Sequence, residues 1–382
     1  MLTFEKFSGI NNQTPERRHS PGELKIATNV DIGITGEISR RAGYSEVDAT
    51  CHKNLWQGDG FMLATITGSD LVNVETDAVL SASLGASRVW YLNLPDGRTV
   101  FSNGLVNGIT DGATTTGFGV PVPATTGSPT GVPGDLYPGE YSYAIAYERL
   151  SDGLEGGAVD GGTVELEGGV TFFGLPSLAG YRINVYLSSH NDDQRYYAGS
   201  TTSAMFSFTG GNDELVIPCR SMHMEPAPVG TLMAFYRSRV LVAKGSVLYA
   251  SQPDRWELFD PADFKQFSAP ITLVQAVDDG VYVGTEEELA FLSGAKFDEL
   301  TYSRVGGPVV LGSGVRVNGD LIKQGNGVGS GTAMVCICEG IITAGFNSGG
   351  VIKMTEGRYK TDVSEVHALF RMNGELPQYL AL

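Results

Sequence analysis

The sequence predicts an all-β fold, namely a β-propeller of about six blades with a β-sandwich inserted into it. Short apolar runs alternate with tight turns, their apolar residues show no helical spacing, and the hairpins recur at regular intervals. The pattern is clearest in residues 231–294, where Val240–Ala243 and Val247–Ser251 flank a Lys244-Gly245 turn. Such short runs, rich in Val, Tyr, Phe and Leu and separated by Gly or acidic turns, are typical of antiparallel hairpins.

The hairpin pattern repeats along the second half of the chain. Ile271–Val277, Val281–Thr285 and Leu289–Ser293 follow, and their Glu286-Glu287 turn lies 42 residues after Lys244. A third equivalent, VCIC followed by IITAGF, turns at 339–340. A four-stranded meander that recurs about every 40–45 residues has the period of a propeller blade.

Composition sets the class of protein. The chain has 382 residues, of which 51 are Gly and 18% are charged, and the many turns this implies fit a β-rich fold. No apolar run is long enough to span a membrane, and the first twenty residues lack the apolar core of a signal peptide, so we expect synthesis in a cytoplasm. A net charge of −17 argues against a surface that grips nucleic acid, so no sequence-specific nucleic-acid binding is expected.

Residues 1–24 form a polar arm without a periodic apolar face. An arm of this kind becomes ordered only when its own domain or a neighbouring chain holds it, and we expect a neighbouring chain. The candidate inter-subunit contacts are Phe4, Arg17, Arg18 and His19.

Residues 25–130 are expected to form the first part of the propeller. Phe61–Thr67 and Leu71–Val74 predict one hairpin, and Val89–Leu94 and Thr99–Ser102 predict another. Their turns lie only 28 residues apart, so this half is expected to carry trimmed blades rather than full four-stranded ones.

A change in composition marks an inserted domain. Residues 110–139, rich in Thr, Gly and Pro, predict a linker or long surface loop. Beyond it, five to seven short alternating strands predict a small sandwich over residues 131–225. The propeller then resumes over 226–382 and ends in a hairpin with an Asn373-Gly374 turn. The residues outside the arm and the insertion suffice for about six blades.

The sequence contains few candidates for a metal, cofactor or catalytic site. Cys336 and Cys338 are expected to be buried, reduced thiols, and neither a metal nor a cofactor is predicted. The loop that contains Asp254, Glu257, Asp260 and Asp263 could supply a pair of carboxylates, but a solvated blade connection held by Trp256 and Phe259 is the favoured interpretation.

Three further groups could carry a function. The Gly-rich stretch 325–331 is expected to be a flexible turn, since no phosphate-binding signature surrounds it. Asp278, Asp279 and Glu286–Glu288 lack the loop that calcium favours. The three tryptophans are expected to pack between blades, although an exposed one could stack on a sugar. We therefore expect no enzyme. The tryptophans are Trp56, Trp90 and Trp256.

Several segments resemble tailed-bacteriophage virion propellers. These are FSGINN with LKIATNVDIGITGEISRRAGY, the stretch SRVLVAKGSVLYASQPDRWELFD with APITLVQAVDDGVYVGTEEELAFLSG, and EGIITAGFNSGGVIKMTEGRY. In between, GEYSYAIAYERLSDGLEGG and INVYLSS are similar to the fibronectin-III-like modules of phage structural proteins.

The resemblance implies a structural virion protein of the tail or head-to-tail junction, such as the nozzle. It also implies assembly in the host cytoplasm, other neck and tail proteins as partners, and a closed homo-oligomeric ring, with a hexamer among the options, through which DNA passes. A carbohydrate-binding or carbohydrate-degrading propeller used in host adsorption is the alternative.

Overall fold

The fold is built almost entirely from β-strands. The computed structural model describes residues 6–382 except 34, 44, 47–48, 67–68, 325–326 and 375. In the described part of the chain, helical structure is limited to three short 3-10 helices, and no helix there is both long and apolar enough to cross a membrane. The 3-10 helices are Glu16–Arg18, Asn212–Glu214 and Gly319–Leu321.

The N-terminal region contains two small pairs of strands. The first two strands pair in parallel, and the next two form an antiparallel unit that we call the N-terminal hairpin. The four strands are β1 (Gly9–Ile10), β2 (Glu23–Leu24), β3 (Val30–Ile32) and β4 (Ile38–Arg40). Asn12 fastens this region to a distant part of its own chain, since its side chain donates to Lys360 O at 2.8 Å and accepts from Lys360 N at 3.0 Å.

Two four-stranded antiparallel sheets follow, sheet I and sheet II. The expectation of trimmed blades in this region is wrong, because strands of two to six residues joined by tight turns fit four strands into about thirty residues. Sheet I contains β5 (His52–Gln57), β6 (Met62–Ile66), β7 (Asp70–Asn73) and β8 (Ala78–Ser81). Sheet II contains β9 (Trp90–Asn93), β10 (Thr99–Ser102), β11 (Asn107–Thr110) and β12 (Thr115–Thr116).

Residues 128–208 form a separate five-stranded sheet, the lateral sheet, with strand order β16-β15-β13-β14-β17. Two long strands take the place of several of the short strands that the sequence predicts. Together, the ends of this bent sheet enclose one apolar core that includes Tyr141, Phe172 and Val185. The strands are β13 (Ser128–Arg149), β14 (Val159–Phe173), β15 (Tyr181–Ser188), β16 (Arg195–Thr201) and β17 (Met205–Phe208).

The interpretation of residues 110–139 as a loop is wrong for their second half, because strand β13 begins at Ser128. Its register against β14 shifts between Val132 and Leu136 and again between Leu136 and Gly139. Pro133 and Pro138 fall inside these two irregularities, where the ladder does not require their missing N–H groups. The prolines therefore bend the strand without ending it.

Three larger sheets follow the lateral sheet, and they confirm the predicted hairpins of this region. Sheet III contains β18 (Glu225–Pro226), β19 (Leu232–Tyr236), β20 (Arg239–Lys244), β21 (Val247–Gln252) and β22 (Arg255–Gln266). Sheet IV contains β23 (Ile271–Val277), β24 (Gly280–Thr285), β25 (Leu289–Ser293) and β26 (Thr301–Gly306).

Sheet V has the order β27-β30-β31-β32, with a small hairpin of β28 and β29 beside it. Its strands are β27 (Val315–Asn318), β28 (Lys323–Gln324), β29 (Gly327–Val328), β30 (Thr332–Cys338), β31 (Ile341–Gly345) and β32 (Val351–Lys353). Glu339 and Gly340, between β30 and β31, both have positive φ, at 55° and 78°. Two successive positive φ values are typical of the turn that matches the twist of a hairpin, so the predicted turn is confirmed.

The chain ends in the C-terminal hairpin, β33 (Ala368–Asn373) and β34 (Leu376–Ala381). This is the hairpin that the Asn373-Gly374 turn predicts. In the described residues, β34 pairs with β33 and with no other strand.

Apolar clusters join neighbouring sheets in the order of the chain. Leu63 of sheet I packs with Phe101 of sheet II, and Val100 of sheet II belongs with Val240 of sheet III to the next cluster. Further clusters join sheet III to IV, sheet IV to V, and sheet V to Phe370 and Tyr379 of the C-terminal hairpin. Sheets I to V and the C-terminal hairpin thus follow one another side by side.

A polar link connects the last unit with the first two. Arg88, which lies between sheets I and II, donates to Val366 O at 2.8 Å and contacts the Glu365 carboxylate at 3.3 Å. No apolar cluster of the described residues joins the C-terminal hairpin to sheet I. Leu369 of that hairpin and Leu55 of sheet I are instead 46% and 58% exposed. We call this junction the seam.

Three of the four cysteines are buried. Cys336 and Cys338 lie in the cluster between sheets IV and V, Cys219 packs beside the lateral sheet, and Cys51 is exposed. Burial raises the pKa of the Cys219, Cys336 and Cys338 thiols, most strongly that of Cys336. A thiol with a raised pKa holds less of the reactive thiolate at a given pH.

We therefore predict that Ellman's reagent modifies Cys51 quickly in the native protein and the other three thiols only at the rate of local opening. Denaturant should release all four thiols without a reductant. The Cys51→Ser variant should lose the fast phase and keep the slow one. A fast phase of two or more thiols, or fewer than four thiols after denaturation, would contradict this assignment.

Candidate functional site

Six strands from six different units surround one cavity of 910 Å³. Each lies at one end of its sheet or hairpin, so the cavity forms where the end strands of sheets I to V and of the C-terminal hairpin meet. The six strands are β5, β9, β19, β23, β27 and β33. A cavity made this way is positioned by the cores between the sheets and not by loops.

One wall of the cavity is aromatic. The ring of Trp56 stacks on Tyr91 with centroids 5.5 Å apart, and its Nε1 donates to Asn93 Oδ1 at 2.7 Å. Trp56 nevertheless remains 37% exposed. Beside it, the Arg88 guanidinium lies 3.9 Å from the centre of the Trp90 ring. An indole with a fixed orientation and a partly free surface can bind another flat apolar surface.

The lining of the cavity differs in charge from the rest of the chain. It includes Arg88, Arg316 and His367 and, among its described residues, no Asp or Glu side chain, although the whole chain carries −17. Burial, and after it the charge of Arg88, lowers the pKa of His367. Thr272, also in the lining, is 8% exposed, and its hydroxyl has no partner among the described residues.

A second feature is a buried ionic joint between the lateral sheet and the rest of the protein. Arg149 at the end of β13 contacts Glu257 of β22, with Nη2 and Oε2 2.6 Å apart and side chains only 4% and 3% exposed. Arg98 contacts the other oxygen of Glu257 at 2.9 Å. Arg149 also donates to Thr116 Oγ1 of sheet II at 2.7 Å. One carboxylate therefore connects the lateral sheet with sheets II and III.

Close contacts also restrict the backbone conformation at the joint. Gly119 has φ +117°, and its N–H donates to Glu257 Oε2 at 3.2 Å. A Cβ atom at Gly119 would lie 2.5 Å from Cβ of Pro226 and 2.9 Å from the backbone oxygen of Glu257. Only glycine fits this conformation and this contact. Gly119 follows sheet II, whereas Pro226 and Glu257 belong to sheet III. The point where the chain leaves for the lateral sheet therefore touches the point where it returns.

Three of the four candidate carboxylates of the 254–263 loop have ionic or hydrogen-bond partners within the fold. Glu257 is paired with Arg149 in the joint, and Asp263 contacts Arg239 at 2.8 Å. Asp260 accepts the backbone N–H of Ala262 at 2.8 Å. The interpretation of this loop as a solvated connection is wrong at Glu257, which is buried because two guanidinium groups compensate its charge. Residues 255–266 themselves form strand β22.

Three further acidic candidates accept hydrogen bonds within the fold. Asp278 accepts the backbone N–H of Thr332 at 3.0 Å and the Asn347 amide at 2.9 Å, so it connects sheet IV with sheet V. The Thr332 hydrogen bond is the main cause of its lowered pKa. Glu287 accepts from Ser268 and Glu288 from Tyr302. No group of three His, Cys, Asp or Glu side chains that could hold a metal ion occurs within the described ranges.

The predicted contacts of the arm are placed on the surface. Arg17 and Arg18 are exposed in the 3-10 helix that starts at Glu16, and the ring of His19 is 3.0 Å from Thr14 O. Phe4 lies outside the described residues. The structure thus brings Arg17, Arg18 and His19 together on a short exposed turn, within an arm that Asn12 fastens to its own chain.

The tryptophans follow the prediction in part. Trp256 packs edge-on against Phe235 with ring centroids 5.4 Å apart, and Trp90 packs against the core between sheets III and IV. Trp56 is the partly exposed one. Sequence reasoning missed the Arg149–Glu257 joint, whose partners are 108 residues apart. No local pattern in the sequence singles out these two residues.

Comparison with known proteins gives no family. No family model matches the chain, and no curated protein matches it. Among solved structures, a Bacteroides uniformis protein named provisionally as a 6-phosphogluconolactonase is 11% identical, with 63% of this chain and 81% of that chain covered and a TM-score of 0.28.

Two further solved structures give similar values. BamB from Moraxella catarrhalis is 10% identical over 84% of this chain and 88% of its own, with a TM-score of 0.22. Hsv2 from Kluyveromyces lactis is 10% identical over 87% and 98%, also with a TM-score of 0.22. At these TM-scores the similarity supports neither a fold nor an activity for this chain.

We predict that Arg149→Met lowers the free energy of unfolding by about 3–5 kcal/mol, because Glu257 would keep a buried charge with only half of its compensation. Urea unfolding measures this loss. Arg182→Met is the matched control: Arg182 pairs with Glu148 but is 41% exposed, so its loss should leave the free energy of unfolding nearly unchanged. Equal effects of the two substitutions would contradict the importance of the joint.

Proposed function

We propose that sheets I to V and the C-terminal hairpin are the six blades of a β-propeller. The cavity lined by six end strands supports this arrangement, as do the clusters that join each unit to the next in chain order. In this proposal the lateral sheet is the core of the inserted fibronectin-III-like domain predicted for residues 131–225, and its own apolar core supports its treatment as a separate unit.

We further propose that the protein is a non-enzymatic structural component of a tailed-bacteriophage virion, located in the tail or the head-to-tail channel. The observation that carries this proposal is the Arg149–Glu257 joint. It fastens a lateral module to sheets II and III through a buried ion pair, which suits a structural framework. The sequence segments that resemble phage propellers supply the biological context.

The negative net charge of the chain is compatible with a passage for DNA. Each Lys or Arg that contacts a phosphate adds affinity through counterion release and would slow the passage of the duplex. The chain has 43 Asp and Glu against 26 Lys and Arg. We propose that several copies close into a ring in the virion, with other neck or tail proteins above and below, and that the inner wall of this ring is mainly acidic.

Electron microscopy of the purified protein and of the native particle tests this proposal. We expect a closed ring of identical copies in which acidic residues outnumber basic ones within about 8 Å of the lumen, the screening length at physiological salt. A single copy at a fibre tip, or a lumen lined by Lys and Arg, would contradict the proposal.

The partly exposed Trp56 favours one second function, binding of a carbohydrate during host adsorption. If the cavity binds sugar, Trp56→Ala should weaken binding of the native protein to host-surface polysaccharide roughly three- to tenfold, the contribution of one aromatic stacking contact. Tyr137→Ala is the control, since Tyr137 is 64% exposed on the lateral sheet, away from the cavity. No measurable binding by the wild-type protein, or equal losses in both variants, would exclude this function.

A further inference from the structure

The last of the six units is incomplete. Each of sheets I to V has at least four strands, whereas the C-terminal hairpin has two. Of its strands, β33 faces the cavity and β34 forms the outer edge. Among the described residues no backbone hydrogen bond reaches β34 from a strand other than β33. An open strand edge of this kind is a template for another strand.

The seam beside this edge is also unfilled. Phe370 and Tyr379 on one face of the C-terminal hairpin pack against sheet V. Leu369, which points to the opposite face because side chains alternate along a strand, is 46% exposed. Leu55 of sheet I is 58% exposed. Leu55 and Leu369 both line the cavity, so the seam has no apolar core on this side of the hairpin.

The chain itself contains a pair of strands without a sheet. The N-terminal hairpin pairs β3 with β4 and, in the described part of the chain, with no further strand. All three residues of β4 are exposed, including Ile38 at 36%. A two-stranded hairpin alone is at best marginally stable in water, so an exposed one gains most from joining a sheet. The N-terminal hairpin thus offers two strands, and the C-terminal hairpin has two strands fewer than a four-stranded sheet.

Charge favours the same pairing. Residues 1–41 carry six Lys or Arg and five Asp or Glu, whereas the whole chain has a net charge of −17. The remainder of the chain is therefore at −18, and the N-terminal segment is slightly basic. Arg17 and Arg18 are exposed on this segment. A basic segment is attracted to the acidic body of another copy at short range.

We propose that the N-terminal hairpin of one copy adds to the open edge of β34 in the next copy and completes its sixth unit to four strands. Each chain then donates one hairpin and accepts one through different surfaces. Such a head-to-tail interface closes into a ring when the rotation between copies permits. The inference rests on the proposed ring and identifies the contact between its subunits as a second copy of this chain.

Cysteine cross-linking tests this contact in the full-length chain. In a Cys51→Ser background, Gln378→Cys is made in one protein, and Asp31→Cys or Ser39→Cys in a second protein with a distinguishable tag. Neighbouring strands place paired Cα atoms within disulfide range. After mixing and oxidation, we expect a mixed disulfide between the two proteins for at least one of the two hairpin positions. Val79→Cys, at an exposed site of sheet I, replaces Gln378→Cys as the control and should give none.

The outcomes separate this inference from the proposed function. A further variant carries Gln378→Cys together with Asp31→Cys or Ser39→Cys in one chain. Disulfides within single chains of this variant, without mixed disulfides between chains, would overturn the exchange between copies and assign the hairpin to its own chain. The absence of any disulfide in a protein that native mass spectrometry shows to be a ring would overturn the contact but leave the ring. A monomer in solution and in the particle would overturn both.

Discussion

The buried carboxylate of Glu257 is the constraint on which the arrangement of the whole chain depends. It accepts from Arg149 of the lateral sheet, from Arg98 beside sheet II and from the backbone of Gly119, while its own strand belongs to sheet III. Burial of a carboxylate is unfavourable unless its charge is compensated, so the group is stable only when all three parts are in place. Apolar packing could hold these parts together in several relative orientations, whereas this network of directed bonds permits one.

The apolar cores have a different role. The clusters between consecutive sheets fix the order and spacing of the units, and they explain why the sheets can be short: sheets II to V each have a neighbour on either side to cover their faces. This rule holds up to the seam. There the last unit is linked by Arg88 instead of a core, and the exposed Leu55 and Leu369 mark where apolar coverage ends. Apolar packing between neighbouring units is therefore weaker at the seam than elsewhere around the cavity.

The hairpins could be predicted because their information is local. Lys244-Gly245, Glu339-Gly340 and Asn373-Gly374 specify turns within a few residues, and the flanking apolar runs specify the strands. Prediction failed where the deciding contact was distant or unusual. Residues 128–139 have the composition of a loop, yet two bulges absorb Pro133 and Pro138 and the strand continues. The cavity and the Arg149–Glu257 joint depend on residues far apart in sequence, so no window along the chain contains them. Sheets I and II include strands of only two to four residues, which are too short to give a recognisable alternating pattern, so the sequence predicts fewer strands there than the structure has.

The position of the joint also has a consequence for how the chain is made. Synthesis delivers Arg149 well before Glu257, with the lateral sheet emerging between sheets II and III. Glu257 of sheet III therefore emerges after both of its guanidinium partners, Arg98 and Arg149. If the lateral sheet folds late or incorrectly, Glu257 keeps Arg98 but lacks Arg149, so its charge is compensated only in part and sheet III docks less stably. The order of synthesis therefore favours a lateral sheet that has folded before sheet III docks on it.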